Sequence, residues 1–193
     1  MGVIVRFDVW LFYIINGTLS ATWLDPFMRF VTEKFNFSGA IVAAVVLVLI
    51  LGRRKDRFGL LVLVLTVLVA DLFANQLKHL IMRGRPCNVF DNVRLVVGCT
   101  SSFSLPSGHA TNIFGAMVFL SLRYRRFMPL FLAIAFVVAY SRVYVGVHYP
   151  IDITVGAALG TVVAIVFARL EKFAVAEYTR RREKNRVIID DIE

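Results

Sequence analysis

Between Lys34 and Arg53 the chain carries no charged residue, and from 39 to 51 it is almost wholly aliphatic. Similar runs follow at 58–77, broken only by Asp71, and at 106–122, 127–140 and 151–168. A helix rises 1.5 Å per residue, so each run is about long enough to cross roughly 30 Å of hydrocarbon, the fourth only if it extends toward Val145. Hydrophobic residues make up 59% of the 193, against roughly 45–50% in soluble domains. A single small domain has too little interior to hide that excess, and lipid is its natural solvent. The expected fold is therefore all-α: an integral membrane bundle with five transmembrane helices within 36–172.

The first 35 residues read differently. Val3, Phe7, Trp10, Leu11, Ile14 and Ile15 recur at helical spacing, but Asp8, Asn16 and Gly17 interrupt the run. Trp23, Phe27, Phe30 and Val31 form a second stripe, mixed with Asp25, Arg29 and Glu33. Amphipathic helices lying in the membrane interface are expected over 1–35. With Asp8 inside the first apolar stretch and no basic leader before it, no cleavable signal pattern is expected.

The formal charge is +9, with 22 Lys and Arg against 13 Asp and Glu. The cations cluster between apolar runs, which favours membrane flanks over nucleic-acid binding. One cluster is Arg53, Arg54, Lys55 and Arg57; another is Arg123, Arg125 and Arg126. The third lies after the last span, at Arg169, Lys172, Arg180, Arg181, Arg182, Lys184 and Arg186. Under five spans all three fall on one side, expected to be cytoplasmic. The segment 173–193 becomes a basic cytoplasmic tail, disordered from about Tyr178. The connection from Lys78 to Pro106 and the turn from Ser141 to Pro150 then face the other side, the periplasm of a bacterial inner membrane.

Those outer segments concentrate groups suited to phosphate. Lys78 is followed after six residues by Arg85-Pro86, then by Pro106-Ser107-Gly108-His109, then by Ser141-Arg142, His148 and Asp152. Arg offers a permanently charged planar fork and Lys a mobile point charge. Lys78, Arg85 and Arg142 supply three cations where charge is otherwise costly. Pro106 can open a helix, whose first N–H groups at Ser107 and Gly108 would face an anion. His148 has the attributes of a nucleophile, Asp152 can bind its other nitrogen and fix the tautomer, and His109 can act as general acid. Each element alone is unremarkable: a lone interfacial histidine is usually structural, and Lys78 or Arg85 alone would be a headgroup anchor. The conjunction on one face carries the reading.

These three blocks resemble the tripartite signature of the type 2 phosphatidic acid phosphatase superfamily, which includes membrane lipid phosphatases and soluble vanadium haloperoxidases. The match is complete in all three blocks between Lys78 and Asp152. The resemblance implies a phosphohistidine on His148, His109 as acid, and Lys78, Arg85, Ser107, Gly108 and Arg142 around the phosphate. It implies no metal and no other cofactor. Larger membrane members have six spans, so the first helix here departs from the pattern. The expected partners are the bilayer and a lipid phosphate substrate, with no nucleic acid; the oligomeric state is left open.

Further expectations concern neighbouring residues. Asp71, Asn75 and Lys78 share one helical stripe, so Asp71 or Asn75 orients Lys78, or else Asp71 pairs with another helix. His79 points about 100° from Lys78 and reads as structural. Cys87 and Cys99 share the outer connection and are a disulfide candidate. Trp10, Trp23 and Phe27 are anchors in the aromatic belt or part of a lipid entrance. Arg83, Arg85 and Arg94 would suit a bulky anionic headgroup, which favours lipid A 1-phosphate over phosphatidylglycerophosphate or undecaprenyl diphosphate. A lipid-binding or transport protein would also tolerate charges in spans, but would not require His148, Asp152 and His109 together. The apolarity of the chain disfavours the soluble haloperoxidase branch.

Overall fold

A computed structural model describes residues 2–190; Met1 and 191–193, the end of the basic tail, lie outside it, as do the side chains of Lys34 and of 183–190, among them Lys184 and Arg186. Among the described residues the regular structure is helical, with no strand. They form α1 (Val3–Tyr13), α2 (Asp25–Thr32), α3 (Ser38–Leu51), α4 (Arg54–Ile81), α5 (Pro86–Val89), α6 (Gly108–Arg123), α7 (Met128–Tyr144) and α8 (Pro150–Asp190). Three stretches are long and apolar enough to cross a membrane: Arg54–Val89, Arg125–Tyr144 and Pro150–Arg182. A fourth arises if α2 and α3, bent by 74°, are one span. The expected count of five is not reached on length. The run at 106–122 yields a helix of 16 residues, because Ser107 is an extended N-cap that starts α6 only at Gly108. The tail also departs from expectation. Instead of losing structure near Tyr178, α8 continues to Asp190, and Glu177 pairs with Arg180 and Arg181 at the i+3 and i+4 spacings that support a helix.

α6 is the central helix, packed on α4, α7 and most extensively on α8. Two glycines explain the closeness of α6 and α8. A Cβ on Gly156 would stand 2.7 Å from the Ser107 carbonyl oxygen, and one on Gly160 would run into the Thr111 carbonyl. Small residues at i and i+4 let membrane helices approach backbone to backbone. The result bears on chemistry, because the Ser107 N–H reaches the Asp152 carbonyl at 2.9 Å.

The chain ends of the bundle separate the charges. Arg123 joins Asp56 and Glu171 in ion pairs, so the basic loops and the far part of α8 meet at one end. The end of α4 and the starts of α6 and α8 meet at the other. By contrast α3 buries no residue, as suits a helix solvated by lipid.

The N-terminal helices pack on the bundle. Phe12 is fully buried against Val143 and Tyr149, with its ring 5.6 Å from that of Tyr149. Asn16 staples the following turn: its amide donates to the Arg94 and Tyr144 carbonyls at 2.8 Å and its oxygen accepts from the Arg94 N–H. Trp10, Trp23 and Phe27 point outward, more than half exposed.

Cys87 and Cys99 are joined in a disulfide, closing the loop that begins just after Arg85. Loop closure of this size is worth on the order of 2–3 kcal/mol. Cys87→Ser with Cys99→Ser is expected to lower the thermal midpoint by several degrees and speed proteolysis within 87–105. An unchanged midpoint and digestion pattern would remove the loop's structural role.

Candidate active site

Four segments converge at the end of the bundle away from the basic loops. α4 stops at Ile81, where Met82 adopts a left-handed conformation (φ 50°) and turns the chain back. Arg83 and Arg85 therefore lie over the helix ends rather than beyond them. α6 opens with Ser107 as N-cap, its hydroxyl accepting from the Ala110 N–H at 3.4 Å. α7 closes with Arg142 and Tyr144. After a left-handed glycine at Gly146, Pro150 opens α8 with Asp152 in its first turn.

His148 lies at the centre, 1% exposed. Its Nδ1 stands 3.3 Å from Asp152 Oδ2, and its Nε2 stands 3.2 Å from Arg85 Nη1. Arginine donates and cannot accept, so Nε2 presents its lone pair to Arg85. The ring proton of the neutral imidazole must then reside on Nδ1 and be donated to Asp152. Pro150 does not prevent this contact, because α8 begins between the two residues and the Tyr149 N–H also reaches Asp152 Oδ2, at 2.9 Å.

Burial first, and then the charges of Arg85, Arg142 and Lys78, hold the imidazole well below its usual protonation range. His148 is neutral at pH 7 with an unprotonated nitrogen among cations. An unfolded histidine takes up a proton below about pH 6.5, whereas the folded one does not. The unfolded state then binds more protons, and stability falls as pH drops below that point, by up to about 1.4 kcal/mol per unit, with no contribution above it. Detergent-solubilised protein is expected to lose more thermal stability from pH 7 to pH 5 than a His148→Gln variant. Parallel curves would show that His148 is not held neutral.

Arg85 is locked in place. Its Nε donates to the Ser102 carbonyl at 2.8 Å, its Nη2 to the Ser102 hydroxyl at 2.9 Å, and its Nη1 to the Val147 carbonyl at 3.2 Å as well as to His148. Arg142 donates from Nη1 to Thr32 on α2 at 2.6 Å. Its Nε is buried with no hydrogen-bond partner among the described residues. Lys78 Nζ comes within 3.6 Å of where a Cβ on Gly108 would stand, so the ammonium faces the start of α6. His109, half-buried, is the second residue of that helix. Lys78, Gly108 and Ser107 thus gather at one helix start, while Arg85, His148 and Asp152 are joined by hydrogen bonds beside it.

The neighbouring expectations divide. Asp71 accepts from Asn75 at 3.0 Å and from Asn112 at 2.8 Å. It is thus bonded across to α6, and its charge also acts on the Lys78 ammonium. His79 sits edge-on to Phe103. Two of the arginines read as headgroup ligands are in ion pairs, Arg83 with Asp8 and Asp152 and Arg94 with Asp25, while Arg94 Nη1 is buried with no hydrogen-bond partner among the described residues. Sequence reasoning missed the environment of Asp8, Arg83, Ser102 and Thr32. A carboxylate inside an apolar helix is itself a signal that a buried partner exists, and Asp8 carried it.

A model of the PAP2 superfamily matches residues 59–175. The chain is 32% identical over 168 residues to an undecaprenyl-diphosphatase of Sulfolobus acidocaldarius, covering 86% of this chain and 80% of that protein. It is 35% identical over 164 residues to a lipid A 4'-phosphatase of Bacteroides thetaiotaomicron, covering 79% of this chain and 72% of that one. Among solved structures, Aquifex aeolicus LpxE superposes with a TM-score of 0.71 at 25% identity, over 84% of this chain and 95% of that chain.

Proposed function

This chain belongs to the PAP2 superfamily, and from that premise we propose that it hydrolyses a lipid headgroup phosphate by way of a phosphohistidine on His148. It is a multi-pass membrane lipid phosphatase. The observation that carries the mechanism is the single tautomer imposed on His148 by Asp152 and Arg85.

In the first step Arg85 Nη1 passes from Nε2 to a phosphoryl oxygen, and the freed Nε2 lone pair attacks phosphorus in line with the lipid oxygen. The N–P bond forms, the P–O bond breaks, and His109 gives its proton to the departing lipid alcohol. Asp152 holds the Nδ1 proton as positive charge develops on the ring. In the second step water attacks the phosphohistidine, His109 takes the water's proton, and inorganic phosphate leaves with His148 restored. Lys78, Arg85, Arg142 and the α6 N-terminus neutralise the phosphoryl oxygens. The unpartnered Arg142 Nε and the Lys78 ammonium beside Gly108 are donors suited to that anion.

The three cations carry the charge that a metal would otherwise supply, so turnover proceeds without one. EDTA at millimolar concentration is expected to leave the rate within about twofold, whereas loss of activity restored by a divalent ion would refute this. The site faces the periplasm of a bacterial inner membrane, since the basic loops gather at the opposite end of the bundle. Lipid A 1-phosphate is the substrate favoured, supported by the likeness to a lipid A 1-phosphatase of Rhizobium johnstonii, 37% identical over 112 residues. Undecaprenyl diphosphate and phosphatidylglycerophosphate are the competitors. Phosphate release from all three in matched detergent micelles tests the choice: kcat/KM at least tenfold higher on lipid A 1-phosphate is expected, and a higher value on either other lipid replaces it.

A further inference from the structure

We propose that Asp8 and Arg83 are positioning residues for the phosphoryl transfer, so that the N-terminal helix α1 is part of the catalytic apparatus. This rests on the reading of His148 and Asp152 given above.

Asp8 is 1% exposed, on a helix whose outward residues are apolar apart from Arg6. Removing a carboxylate from water is tolerated only where it is paired and hydrogen-bonded, and Asp8 is fully engaged. Its Oδ2 accepts from Arg83 Nη2, and its Oδ1 accepts from the Ile151 N–H at 2.8 Å. Both contacts lead to Asp152. Ile151 is its chain neighbour in the first turn of α8. Arg83 donates through its other nitrogen to Asp152 Oδ1 at 2.8 Å. The guanidinium also lies 3.9 Å from the centre of the Tyr149 ring, which packs on Phe12 of α1. Asp152 is thereby held on both oxygens, Oδ1 by Arg83 and Oδ2 by His148 and the Tyr149 N–H. It cannot turn without breaking one set.

The charge count gives Asp8 a role beyond packing. Arg83 alone against Asp152 would cancel the negative charge that His148 sees. With Asp8 on its second nitrogen, the three side chains sum to −1. That residual charge balances the positive charge arising on the imidazole as the N–P bond forms. Asp8 lies before residues 59–175, to which the family model extends.

The test uses the full chain in detergent, with dioctanoyl phosphatidic acid as probe and released phosphate as readout. Asp8→Asn and Arg83→Lys are each expected to lower kcat at least tenfold with KM within twofold, because binding cations are untouched. The Asp8→Asn/Arg83→Lys double variant is expected to be little worse than the worse single, since both act through Asp152. Multiplicative losses would mean independent roles and overturn the proposal. Asn16→Ala, which cuts the bonds to the Arg94 and Tyr144 carbonyls, serves as the structural control: it should lower the thermal midpoint while leaving kcat unchanged at permissive temperature. If Asn16→Ala and Asp8→Asn lose kcat alike, Asp8 only docks α1 and the proposal fails. Should Asp8→Asn not fold, Arg83→Lys decides by the same split of kcat from KM. Wild-type turnover that survives His148→Ala would refute the mechanism itself, whereas His148-dependent turnover with kcat intact in Asp8→Asn and Arg83→Lys would refute this inference alone.

Discussion

Replacing His148 with alanine is expected to lower kcat at least about 10³-fold, equivalent to roughly 4 kcal/mol of transition-state stabilisation. The variant is a clean test because the site around it remains satisfied. Asp152 Oδ2 keeps the Tyr149 N–H and Oδ1 keeps Arg83. Arg85 keeps both bonds to Ser102 and its bond to the Val147 carbonyl. The loss should therefore fall on the chemical step, with little change in the binding of a lipid phosphate by Lys78, Arg85 and Arg142. A second readout follows from the bond proposed. Acid-labile, alkali-stable label from a radiolabelled lipid phosphate should accumulate on the wild-type chain during turnover and be absent from His148→Ala. Retention of more than a tenth of the activity, or label still present in the variant, would place the nucleophile elsewhere.

The parts of this site legible in the sequence are those whose chemistry is local or whose spacing is fixed. Lys78, Arg85, Pro106 to His109, and Arg142 to Asp152 stand at helix ends, where chain position determines which end of the bundle a residue occupies. The membrane character was equally legible, because apolar runs admit few alternatives once backbone groups must be satisfied internally. What could not be read depends on partners distant in sequence. Arg83 and Arg94 look like solvent-facing cations in a loop, and only tertiary structure shows that they pair with Asp8, Asp152 and Asp25. Asn16 reads as an interruption of a helix, yet it is a buried staple between three chain segments. The count of five spans is not reached on length for a related reason. Hydropathy sets where a helix can extend, but the Ser107 cap sets where α6 begins, and Gly156 and Gly160 set how closely it packs.

Arg85→Lys is expected to reduce kcat/KM by about 10²–10³, although the charge is retained. The native guanidinium spans Ser102 on one side and Val147 with His148 on the other, using all three nitrogens. A lysine ammonium is one point on a flexible stem, and no single point reproduces a planar fork with two facing edges. If it reaches the phosphate, the Ser102 carbonyl and hydroxyl lose their charged donor. If it stays with Ser102, His148 Nε2 loses the donor that fixes the tautomer and the ring's orientation. Either outcome misplaces the nucleophile relative to phosphorus, and small misplacements are amplified in the rate. The loss should divide between kcat and KM, because the proposed mechanism has Arg85 both bind the phosphoryl oxygens and orient the ring. His148→Ala, by contrast, should alter kcat alone. Steady-state kinetics on one lipid phosphate separates the two patterns. Arg85→Lys activity within threefold of wild type would show that the position requires only charge, and the geometric role assigned to the guanidinium would be lost.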